Sequence, residues 1–196
     1  MKQVKKMDDK EKSFLGTLHF DNHYLSASIG FQKAYLEIIP PSWEESNNYN
    51  SGYTQVIHHK TVHNLYASSY PKNEPTEFYF RHIINGEYTV YSRSQNFHFG
   101  KHLFINNGVI SASDIPAETD YFSFKQNGQK IQIHEKPEEE IFAEFVCEDG
   151  GIEFKNIENL NDRGENLTAQ VVSKGGHGPL GNIRLKIIRR NVDWLK

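Results

Sequence analysis

The sequence predicts an all-β fold, and three observations carry that prediction. Strand-length runs of apolar and aromatic residues recur along the chain, which holds thirteen Phe and ten Tyr. Such residues favour pleated, half-buried strands. Asn-Gly pairs stand between these runs at 85–86, 107–108 and 127–128. A tight hairpin turn needs positive φ at both central residues, which this pair supplies. Convincing amphipathic helices are absent, and residues 155–166 are the one place for a helical turn.

The elements follow in order. SFLGTLHF, HYLSASIGF and AYLEII over residues 13–39 read as strands, and Pro40-Pro41 stops the last of them because proline donates nothing to a sheet ladder. Residues 42–53, SWEESNNYNSGY, form a polar loop rich in Asn, Ser and Gly. Strands resume at 54–59 and 63–70. EFYFRHII and EYTVYSRS flank Asn85-Gly86 as a hairpin. Residues 100–133 organise the rest, with short apolar runs separated by Asn107-Gly108, the Pro116 turn and Asn127-Gly128. FAEFVCE and GIEFKNI form a hairpin candidate around Asp149, and ENLTAQVVS and NIRLKIIRR flank a glycine-rich stretch. In the last strand Ile183, Leu185 and Ile187 share one face.

The chain also repeats weakly. Residues 65–92 align with 110–135: each runs through Ala-Ser, a Pro-containing turn, an aromatic run, Asn-Gly and an alternating strand. The alignment takes residues 24–28 as the first copy, so Ala27, Ala67 and Ala112 correspond, with 167–170 a poorer fourth match. Three all-β units of this period point to a β-trefoil, with a β-sandwich as the alternative. The expected division is a disordered or extended tail over 1–12 and one all-β domain over 13–196, with 136–196 its least regular repeat.

The motif Gly100, Lys101, Leu103, Asn107, Gly108, Ser111, Ala112, Phe122, Phe124, Gly128, Ile131 and Ile133 resembles the repeat of fascin-like trefoil domains. The resemblance covers mainly residues 60–135. It implies a trefoil and a binding role toward sugars, actin or other proteins, without choosing among them. The Gln-x-Trp signature of ricin-type sugar-binding trefoils is missing, since neither Trp43 nor Trp194 has Gln two residues before it. Actin bundling by fascin uses several trefoils in one chain, and this chain has room for one.

Composition narrows the function classes. A net charge of −3 gives no basic surplus of the kind nucleic acid calls for. One cysteine excludes an internal disulfide framework and fits a reducing compartment. No run approaches the ~20 apolar residues of a membrane helix, and the N-terminal MKQVKKMDDKEK lacks the apolar core of a secretory signal. A cytoplasmic location, or export without a classical signal peptide, is expected.

For ligand binding, the loop residues Trp43, Asn47, Asn48, Tyr49, Asn50 and Tyr53 stand out. Aromatic faces with little rotamer entropy, beside amide donors and acceptors, form the mixture a sugar site uses. The ten histidines include close pairs, His19 with His23, His58-His59 with His63, and His98 with His102. Turns interrupt each pair and no HExxH occurs, so structural or surface roles are expected and no metal or other cofactor is implied. Cys147 follows the apolar Phe145-Val146 and lies near Glu144 and Glu148, a setting that opposes thiolate formation. The glycine run 175–178 has no GxSxG beside it, Glu138–Glu140 read as a solvated turn, and Arg184, Lys186, Arg189 and Arg190 form a basic patch able to pair with them. The sequon at Asn166 matters only after secretion. A non-enzymatic, lectin-like module for carbohydrate or a glycosylated surface is the first expectation. A protein-interaction module (scaffold, inhibitor or immunity-type protein) is the alternative.

Overall fold

A computed structural model of the chain describes residues 10–22, 25–41, 53–69, 75–95, 98–114, 120–148, 150–161, 166–173 and 182–193. Fourteen strands run through them. They are β1 (Phe14–Asn22), β2 (Leu25–Ile39), β3 (Thr54–Ser68), β4 (Glu77–Ile84), β5 (Glu87–Ser92), β6 (His102–Asn106), β7 (Val109–Ser113), β8 (Phe122–Gln126), β9 (Gln129–Ile131), β10 (Glu140–Cys147), β11 (Gly150–Gly151), β12 (Glu153–Asn159), β13 (Leu167–Val172) and β14 (Asn182–Arg190). The fold is all-β. No helix among the described residues is long and apolar enough to cross a membrane.

All pairings are antiparallel, and six strands pair in a cycle. β1 pairs with β4, β4 with β5, β5 with β8, β8 with β10, β10 with β14, and β14 returns to β1. A closed cycle leaves these strands no free edge. Period-two alternation sends one side chain in two to the inside. Phe14, Leu18, Phe78, Phe80, Tyr88, Val90, Phe122, Phe124, Ala143, Phe145, Ile183 and Leu185 are each at most 2% exposed. The rings pack directly: Phe14 stacks on Phe80 at 4.6 Å, and Phe122 stacks on Phe145 at 5.2 Å. Tyr88 fits its hydroxyl into this core by accepting a hydrogen bond from Ile133 N–H at 3.4 Å.

Three further hairpins, β2–β3, β6–β7 and β12–β13, lie outside the cycle. Their second strands pair with one another, β3 with β7, β7 with β13 and β13 with β3. Ala67 stands opposite Ala169 there, and Asn64 opposite Ser111.

The turn chemistry is as the sequence requires. Asn85, Asn107 and Asn127 have φ of 50°, 51° and 51°, each followed by a positive-φ glycine. At Gly86 a Cβ would also stand 2.9 Å from the carbonyl of Ile131, so both conformation and space select glycine.

Several expectations change. Ala27 is not the counterpart of Ala67 and Ala112. It lies on β2 opposite Phe20, whereas Ala67 on β3 stands opposite Ala169 on β13. Residues 13–39 form two strands and not three, because β2 continues through a register shift between Gly30 and Gln32. The two runs expected at 54–59 and 63–70 form one strand, β3. GIEFKNI is strand as expected, but β12 runs on to Asn159, so 155–159 are strand within the 155–166 stretch that offers a place for a helical turn; a register shift between Lys155 and Glu158, with Asn156 at φ 52°, breaks the alternation there. Of the tail over 1–12, expected to be disordered or extended, Lys10–Lys12 form a 3-10 turn, closed by Ser13 N–H donating to Lys10 O at 3.2 Å, and residues 1–9 lie outside the described residues.

Candidate functional site

The alternation of β10 produces the first candidate surface. Ile141, Ala143 and Phe145 point inward at 4%, 2% and 1% exposure. Their neighbours Glu140, Phe142 and Glu144 therefore point outward. Phe142 is 55% exposed, an apolar ring on a polar wall. It lines a groove of about 540 Å³ with Lys125, Gln126, Asn127, Ala143 and Glu144. The walls come from the end of β8 with its turn and from β10. Lys125 of β8 stands opposite Glu144, and Arg184 of β14 stands opposite Phe142.

The groove's frame is braced. Gln126 Nε2 donates to the carbonyl oxygen of Phe142 at 2.8 Å. The Arg184 guanidinium donates to Asp21 on one side and, at 3.4 Å, to Glu140 on the other. One carboxylate of the acidic run is thus paired with the basic strand. Arg190 instead donates to backbone, to Glu138 O at 2.6 Å and Ile133 O at 2.9 Å. Glu140 and Glu144 lie four residues apart on one strand face, about 13 Å between Cα atoms.

The second surface is a ribbon made by β2 and β3. Beyond the shift at Gly30, residues 32–39 pair only with 54–61 among the described residues, a length of about 23 Å. Tyr35, Ile38 and Ile39 are 39%, 58% and 41% exposed on it. Tyr35 stacks on His58 with centroids 5.4 Å apart, and His58 Nε2 lies 2.6 Å from Glu37 Oε2. Lys33 reaches Glu158 on β12 at 2.8 Å. Of the six loop residues singled out for binding, Trp43, Asn47, Asn48, Tyr49 and Asn50 lie outside the described residues. Tyr53 precedes β3 and is 72% exposed, at the end of the ribbon farthest from Gly30.

The histidines meet in pairs that differ from those adjacent in sequence: His63 with His98, and His82 with His134 at 6.0 Å. His19 is held by Thr17 Oγ1 at 2.9 Å, and burial, helped by the Arg184 charge, lowers its pKa. His98 packs edge-on to Phe31 at 4.9 Å, lies 4.9 Å from the His63 ring and contacts Val62 O through Nε2 at 2.8 Å. His102 is 7% exposed on β6. Burial lowers the pKa of both His98 and His102. His23 and His177 lie outside the described residues. Among the described residues no group of three or more His, Cys, Asp or Glu side chains is placed to hold a metal ion. Cys147 is 4% exposed, with Sγ 3.4 Å from Gly150 O.

Phe142 did not stand out in the sequence. Its signal was present in the EIFAEF alternation, where it shares a face with two glutamates. Compared with known proteins, the chain matches no family model, no curated protein and no solved structure.

Proposed function

We propose that the chain is a non-enzymatic binding module with a β-trefoil fold that recognises carbohydrate, free or on a glycoprotein. The observation that carries the ligand class is the half-exposed ring of Phe142 in an open groove rimmed by Lys125, Gln126, Asn127 and Glu144. An aromatic face stacks on the C–H face of a sugar ring, while amide, ammonium and carboxylate groups pair with its hydroxyls. A groove this polar suits a hydrophilic ligand better than an apolar one, which needs a mostly apolar lining. The segment 42–53 is the second part of the proposed binding surface.

The trefoil reading is supported by the six-strand cycle and by the triangle of pairings among β3, β7 and β13. A sandwich would divide the strands into two facing sheets. The fascin-like relationship remains part of the proposal.

The test is a glycan array probed with the wild type, Phe142→Ala and the double variant Trp43→Ala/Tyr49→Ala. Binding by the wild type that falls at least tenfold in Phe142→Ala, with melting unchanged, supports the reading. An array with no binding, or binding indifferent to both variants, refutes it.

A second reading has its own observation. The exposed Tyr35, Ile38 and Ile39 of the ribbon fit a protein partner, because a two-stranded ribbon alone is marginally stable in water. Pull-downs should then depend on Ile38→Ser and not on added sugar. Capture unaffected by Ile38→Ser counts against it.

A further inference from the structure

The three Asn-Gly turns share one dipeptide and one backbone shape, with both residues at positive φ, but they sit in different surroundings. We infer that Asn127 is a site of spontaneous covalent modification. Of the three asparagines it alone loses its side-chain amide readily in the folded chain, becoming aspartate and isoaspartate in the lining of the Phe142 groove.

The reaction needs only water. The backbone nitrogen of Gly128 attacks Cγ of Asn127. That C–N bond forms as the C–N bond to the side-chain amide breaks, and ammonia leaves with the proton given up by the backbone nitrogen. The cyclic imide then takes up one water and opens at either carbonyl, which gives aspartate or isoaspartate. Glycine favours the first step, because no side chain crowds the attacking nitrogen. A closed hairpin turn does not bring that nitrogen onto Cγ, so the turn has to open locally first. The free energy of that opening then sets the order of the sites.

The 127–128 turn is the one with least to lose. Asn127 and Gly128 are both exposed, as are Gln129 and Lys130 after them. A Cβ built on Gly128 would meet nothing within 4 Å. The turn leads into β9, a strand of three residues that pairs with β8 alone among the described residues. Two side-chain bonds hold this hairpin, Gln126 Nε2 to Phe142 O and Lys130 to Glu87, each at 2.8 Å. Both lie outside the turn, and the second is a part-exposed ion pair of the kind that contributes little.

The other two turns are pinned. Gly86 and Gly108 are buried. Gly86 lies against the carbonyl of Ile131, 2.9 Å from where its Cβ would stand. Gly108 O accepts from Ser173 N–H at 2.7 Å and from the Ser173 hydroxyl at 3.3 Å. The strands that follow are tied elsewhere too, β5 to β8, and β7 to β3 and β13. Opening either turn therefore breaks packed, non-local contacts that the 127–128 turn does not make.

Asn127 lines the groove with Lys125, Phe142 and Glu144. The product exchanges an amide, which donates and accepts, for a carboxylate that only accepts. It adds a second carboxylate to a lining that already holds Glu144, so the groove's charge changes as the molecule ages.

The test is peptide mapping by mass spectrometry of the full chain after incubation in mildly alkaline buffer, folded and in concentrated urea. In the folded chain, conversion to the acid is expected at Asn127 at least tenfold faster than at Asn85 or Asn107. In urea, where all three turns are open, the three rates should converge. Conversion of Asn85 or Asn107 in the folded chain as fast as that of Asn127 would overturn the inference. So would a folded Asn127 that stays intact over the time in which the urea-treated chain reacts. An order that persists in urea would overturn it as well, because local sequence and not the fold would then set it. These rates need no ligand, so the result stands apart from whether the groove takes a sugar.

Discussion

Phe80→Ala puts the closed core under the most direct stress. The ring is fully buried on β4. It stacks on Phe14 of β1 at 4.6 Å and meets Tyr88 of β5 at 6.3 Å, Phe124 of β8 at 5.7 Å and Phe145 of β10 at 6.4 Å. One truncation therefore removes packing from four other strands of the cycle. A buried Phe→Ala change costs about 3–5 kcal/mol in lost transfer and cavity energy, and the shared ring contacts argue for the upper half of that range. For a chain of this size each kcal/mol lowers Tm by about 2–4 °C, so a fall of about 10 °C or more is expected. Urea unfolding followed by far-UV circular dichroism measures it, with Ile38→Ala on the 58% exposed ribbon position as the control, expected within about 0.5 kcal/mol. A Phe80→Ala loss below about 1 kcal/mol would mean that these strands do not share one core.

Tyr88 gives an alkaline signature. Burial raises its pKa from 10.0 to about 12, so the folded state keeps the proton that the unfolded chain releases. Stability is whole below pH 10 and falls as pH rises from 10 to 12, by about 3 kcal/mol over two units. Urea midpoints across that range should fall less steeply in Tyr88→Phe than in the wild type. His19, His98 and His102 have pKa values lowered by burial. Their neutral forms stabilise the fold above pH 6.5, and that contribution is lost as pH drops through the lowered values. Replacing His102 by Gln should flatten the acid limb of a Tm-against-pH curve; an unchanged limb would contradict the assignment. Gly16→Ala should destabilise by about 1–3 kcal/mol, because its Cβ would stand 2.9 Å from Lys186 O and 3.0 Å from Leu185 Cδ1. A neutral Gly16→Ala, measured by urea unfolding, would show that β1 and β14 can separate there.

What was legible in the sequence was local. The Asn-Gly turns at 85, 107 and 127 depend on two residues each, and they form as read. The strand inventory followed from Phe and Tyr runs, and the inward face of β14 from simple alternation. What depended on non-local pairing was harder to read. LTAQ is only a poor match in sequence because it lacks the Ala-Ser and proline turn of the other copies, and its pairing with Ala67 gives Ala169 its place. The irregularity at Gly30 hides the length of β2, and the one at Asn156 hides how far β12 runs past GIEFKNI. The groove at Phe142 draws its walls from the end of β8 with its turn and from β10, so neither its shape nor its charge is written in any one stretch.

The most direct measurement of the binding account is an amide NMR map of the full chain titrated with the oligosaccharides of the glycan array in pools. The account predicts shifts that saturate at Lys125, Asn127, Phe142 and Glu144, while the core amides of Phe80 and Leu185 stay in place. Saturating shifts confined to other faces, or none in any pool, would contradict it.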